Sequence, residues 1–84
     1  MTERLEYSAD IQKNLFGSND SNIRKIEEDL AVTVTNRDGF TNISGNEEGV
    51  KEAVRILNQL ANLSSHGTDI DEQRVGYALD MKKE

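Results

Sequence analysis

The stretch Leu15–Val34 constrains this chain more than any other, because it must pass from one helix through a tight polar turn into a second helix and then a strand. Gly17 costs helix propensity, and Ser18, Asn19 and Asp20 compete for the backbone through their side chains, so the loop is Gly17–Asp20. Asp20 or Ser21 offers an N-cap oxygen for the second helix. Ile23, Ile26 and Leu30 then recur at i, i+3 and i+7 on one helical face. Beyond them, Val32 and Val34 alternate with Thr33 and Thr35, which predicts a half-buried strand over Ala31–Asn36.

The flanking segments complete the layout. From Arg4 to Ser8 charged and apolar residues alternate, which predicts a strand with Leu5 and Tyr7 inward. Ser8 can cap a short helix through Phe16, with Ile11 and Leu15 one turn apart and Asp10 near the positive end of the dipole. Asp38-Gly39 between two strand-like runs is a hairpin signal and makes Phe40–Ser44 the antiparallel partner, with Ile43 toward the core. Phe40 has the opposite parity, which leaves it on the outer face or folded over the hairpin end.

Between Asn46 and Ser65, the residues Val50, Ala53, Val54, Leu57, Leu60 and Ala61 form the apolar stripe of a long helix. Ile56 and Leu63 widen that stripe beyond what one sheet face needs, so they serve either deep burial or a second contact surface. Gly67 suits the left-handed end of this helix, and Asp69 or Asp71 restarts a final one carrying Val75, Ala78 and Leu79. The order is β-α-α-β-β-α plus one C-terminal helix. That order predicts an α+β fold with helices on one face of a three-stranded antiparallel sheet.

With 84 residues the chain forms one small domain that buries about 60 to 65% of its unfolded surface. The N-terminal Met-Thr-Glu-Arg-Leu-Glu lacks the basic and apolar regions of a secretory signal, and no run approaches a membrane span of about 20 residues. A soluble, cytoplasmic domain without membrane contact is expected. There is no Cys and a single His, so thiolate metal sites are excluded and no metal is assigned. The net charge of −6 argues against a strong nonspecific polyanion binder, since such affinity rests on Lys and Arg neutralising phosphates.

No Gly-x-x-x-x-Gly-Lys-Ser/Thr sequence is present, so the phosphate cradle of a P-loop ATPase is missing from these residues. Glu47-Glu48 and Asp69/Asp71 lie where helix starts favour negative charge, and they read as caps rather than an acid–base pair. His66 reads as a helix-end residue. No catalytic residue and no small-molecule substrate are assigned.

Gly17 followed by Ser21-Asn22-Ile23-Arg24-Lys25-Ile26 and a β-branched strand resembles the core motif of a type I KH domain, with Asp20 in place of the second loop glycine. The wording Leu15-Phe16-Gly17-x-x-Asp20-x-Asn22, the Ile26-Glu27-Glu28 run and the remaining chain more closely resemble the KH-like N-terminal domain of PhoH-type ATPases. The resemblance implies a type I KH-like fold that weakly binds single-stranded RNA and presents it to an ATPase domain beyond Glu84. That domain would hold the ATP and Mg²⁺, and the family is linked to phosphate starvation and RNA metabolism.

The same resemblance assigns the nucleic-acid contacts to Gly17, Ser18, Asn19 and Asp20 in the loop, Asn22, Arg24 and Lys25 in the helix, and Thr33, Thr35 and Arg37 along the strand. Each has a plainer reading as well. Small polar loops are common turns, threonines are good strand residues, and Arg24 and Lys25 have Glu27, Glu28 and Asp29 as local partners. A second function class therefore stands beside RNA binding: a degenerate KH module that docks its own ATPase domain or other subunits through the apolar surplus at Ile56 and Leu63.

Overall fold

The computed structural model describes residues 1–81. Strand β1 (Thr2–Glu6) leads to helix α1 (Ala9–Phe16), a single 3₁₀ turn (Ser18–Asp20) and helix α2 (Ser21–Leu30). Strands β2 (Val32–Arg37) and β3 (Phe40–Gly45) come next, then helices α3 (Glu47–Ser65) and α4 (Glu72–Met81). The sheet order is β1-β3-β2, antiparallel throughout, so β2 is an open edge. This is the α+β arrangement that the pattern predicts, and its element order is the KH-like one that the resemblance implies.

Register assigns the two faces of the sheet. Val34 pairs with Ile43, and Leu5 with Thr41, toward the helices. Arg37 pairs with Phe40, Thr35 with Asn42 and Arg4 with Asn42, away from them. Of the two positions open to Phe40, the outer face is the one it takes, with the Arg4 guanidinium 4.9 Å from its ring centre. Asp38 and Gly39 both have positive φ, at 54° and 81°, as the two-residue turn matching strand twist requires.

The first strand starts earlier than its alternation predicts, because Thr2 through Glu6 pair with Ser44 through Phe40. Tyr7 leaves the sheet, packs against the core and donates its phenol to Asn58 Oδ1. Burial pushes that phenol up to about 12. Ser8 then caps α1 by accepting from the Ile11 amide at 3.3 Å.

Helix α3 opens with Asn46 Oδ1 accepting from the Gly49 amide at 2.8 Å. It closes in a Schellman motif, in which Thr68 N–H donates to Leu63 C=O and Gly67 N–H to Ser64 C=O. Asp71, rather than Asp69, caps α4, its Oδ1 accepting from the Arg74 amide at 2.9 Å. Helix α4 packs on α2 and α3, bringing Val75, Ala78 and Leu79 into the common core. Ile56 is fully buried in that core, so it serves deep burial, while Leu63 is half-buried against it.

Candidate nucleic-acid interface

The turn between α1 and α2 has a packed rear and an open front. Gly17 adopts φ 75° and ψ −176°, a region that only glycine occupies readily. A methyl at this position would lie 2.7 Å from Asn22 Nδ2. Asn22 is 1% exposed, and its amide donates to the Ile70 carbonyl at 2.9 Å and the Asn14 carbonyl at 3.3 Å. Asn14 extends the network, donating to Ser64 Oγ and the Thr68 carbonyl and accepting from the Ile70 amide at 2.9 Å. Gly17 and Asn22 therefore fasten the α3–α4 connection behind the turn.

On the front, α1 presents Ala9, Gln12, Lys13 and Phe16, which are spaced i, i+3, i+4 and i+7. These residues line a groove closed by Gly17 and Asp20 at one end and by Val34, Thr35 and Asn36 of β2 along its side. Because β2 is an edge, alternate residues turn their backbone N–H and C=O outward. The outward amide of Val34 is taken by Glu27 Oε2 at 2.8 Å. Asn36, two residues on, has the same orientation and borders the groove.

Neither Asp20 nor Ser21 supplies the side-chain cap that the sequence suggests for α2. Asp20 occupies the cap position at φ 58° and ψ 26°, and no side-chain oxygen bonds the helix amides there. A left-handed cap residue does not have the extended backbone from which a cap side chain reaches the second and third amides. The positive end of α2 thus opens beside the groove without a side-chain cap, with an exposed carboxylate next to it.

Of the residues assigned from sequence, Gly17, Asp20 and Thr35 meet in this groove. Ser18 faces a separate hollow with Asp10, Thr68 and Asp69, and Asn19 is exposed at the tip with φ 54°. Asn22 is spent on packing. Arg24 and Lys25 lie with Glu28 and Glu72 between α2 and α4, and Lys25 Cε would stand 3.4 Å from a methyl on Gly76. Thr33 and Arg37 belong to the outer sheet face.

The groove residues not assigned from sequence are Ala9, Gln12, Lys13 and Phe16 of α1 and Val34 and Asn36 of β2. The signal for those on α1 was their i, i+3, i+4 and i+7 spacing. Gln12 is partly structural, since its Nε2 donates to the carbonyls of Tyr7 and Gly39 at 3.2 and 2.7 Å. Among the described residues, no cluster of His, Asp and Glu could hold a metal ion.

The chain is 34% identical over 83 residues to a PhoH-like protein of Bacillus subtilis (strain 168), a match covering 99% of this chain and 26% of that protein. It is also 36% identical over 59 residues to Vigilin 1 of Schizosaccharomyces pombe, covering 69% of this chain and 5% of that protein. The chain thus spans about a quarter of the first relative's length and about a twentieth of the second's. No family model matches it. No solved structure matches it either.

Proposed function

The chain belongs to the PhoH family as its KH-like domain, and from that premise we propose that it binds single-stranded RNA weakly in the groove between α1, the Gly17–Asp20 turn and the β2 edge. In the longer protein it would present that strand to a P-loop ATPase domain. The observation that carries this reading is the juxtaposition of an open β2 edge at Thr35–Asn36 with an α2 N-terminus that has no side-chain cap, across a groove flanked by Lys13. Backbone edges can read bases by hydrogen bonding, and helix N-termini favour phosphate.

On this reading affinity is low, with Kd in the tens of micromolar or weaker, because Lys13 is opposed by Asp20. The domain itself hydrolyses no ATP, and ATP and Mg²⁺ belong to the ATPase domain. Its setting is the cytoplasm. The alternative of protein docking through α3 loses the support of Ile56, which is buried in the fold, while Leu63 is half-buried against the core.

The test is a pair of substitutions at Asp20. A carboxylate about 6 Å from a phosphate repels it by roughly 0.7 kcal/mol in water and about twice that near a protein surface. Asp20→Gly and Asp20→Asn should therefore both tighten binding of a short oligouridylate several-fold, with Asp20→Gly ahead because it also lets the backbone approach. Folded variants that bind no better than the parent would overturn the groove reading.

A further inference from the structure

The outer face of the sheet holds a second polar depression, lined by Arg4, Thr35, Arg37, Asp38, Phe40 and Asn42. Its charged members are two arginines and one aspartate, giving +1 in a chain of net −6, whereas the groove has Lys13 against Asp20. Glu6, opposite Phe40 in the register, brings the surrounding face to neutrality, so what favours a polyanion here is the availability of the two arginines rather than the net sign. Among the described residues neither arginine joins an ion pair, and Arg4 instead rests over the Phe40 ring. An aromatic ring beside a guanidinium can stack a base without sequence preference.

Thr35 lines both this depression and the groove, so the two meet at the β2 edge. Arg4, on the far strand, is two strand spacings from that edge, about 10 Å. We propose that the outer sheet face is a second contact for the same single strand, which leaves the groove over Thr35–Arg37 and lays phosphates on Arg37 and Arg4 with a base against Phe40. This rests on the groove reading, because the groove supplies the strand. Glu6, opposite Phe40 in the register, and Asp38 at the hairpin limit how far the strand continues.

The experiment compares labelled oligouridylates of about four and about twelve nucleotides, spanning the site sizes of single-strand binders. They are titrated into the parent, an Arg4→Gln/Arg37→Gln double variant and Phe40→Leu, with backbone amides followed by NMR. Both probes should shift the groove amides, Thr35 among them, and the long one alone should shift Arg37, Phe40 and Asn42. The double variant should lower the salt slope for the long probe by about 1.4, two contacts at about 0.7 each, and leave the short probe unchanged. Phe40→Leu should weaken the long probe about tenfold, the loss of one stacked base.

If the long probe shifts only groove amides, or the double variant binds both probes as the parent does, the outer-face proposal is overturned while the groove reading stands. If neither probe shifts groove amides, both fall. Outer-face shifts that track protein concentration without RNA would assign the face to self-association and also overturn the proposal.

Discussion

The two sides of the Gly17–Asp20 turn differ in what they spend their polar groups on. Behind the turn, Gly17, Asn22 and Asn14 are consumed by close packing and hydrogen bonds to the Thr68–Ile70 segment. In front, Lys13, Asp20, Thr35 and Asn36 are exposed beside an open strand edge. The most motif-like residues of this stretch, Gly17 and Asn22, therefore build the platform. Ligand contact is left to α1, the strand edge, the open side of Gly17 and the one loop position that departs from the motif.

The largest effect should come from filling the rear. Gly17→Ala forces a side chain onto a glycine-only backbone and into Asn22 Nδ2, and should cost about 3 kcal/mol, a fall in melting temperature of more than about 10 °C. A melting curve within a few degrees of the parent would break the contrast between rear and front.

Asn22→Ala strands the buried Ile70 carbonyl and should cost about 2 kcal/mol. It should also raise amide exchange across α4, whose entry segment it releases; unchanged exchange would show that α4 is held by apolar packing alone.

Front-side changes should be small and of a different kind. Asp20→Gly relieves a left-handed aspartate that makes no cap bond, so it should gain up to about 1 kcal/mol in denaturant unfolding. A loss would mean that the carboxylate has a structural partner. Lys13→Gln should leave stability within about 0.5 kcal/mol while lowering the salt slope of RNA binding by about 0.7.

Much of the fold is legible in the sequence, because its signals are local. The Asp38-Gly39 turn, the Gly67 helix end and the α3 stripe each specify backbone geometry from neighbouring residues alone. The α2 cap is misleading because Asp20 is a good cap residue by type, yet the turn places it in a left-handed conformation.

The site is less legible for a reason of symmetry. Ile23, Ile26 and Leu30 reveal which side of α2 faces inward, but not which flank meets the groove and which meets α4. Arg24 and Lys25 are one and two helical steps from Ile23, and only the position of α4 assigns them to the far flank. For α1, Leu15 marks the core side and leaves the Gln12–Phe16 flank unread.

If the front of the turn contacts a single strand while the rear and the α4 flank do not, amide shifts will show it when a short oligouridylate is titrated into the isotope-labelled chain. Shifts should concentrate at Lys13, Phe16, Gly17, Asp20, Thr35 and Asn36, with Arg24 and Lys25 unmoved. Shifts centred on Arg24, Lys25 and α4, with the groove silent, would contradict this division of the turn.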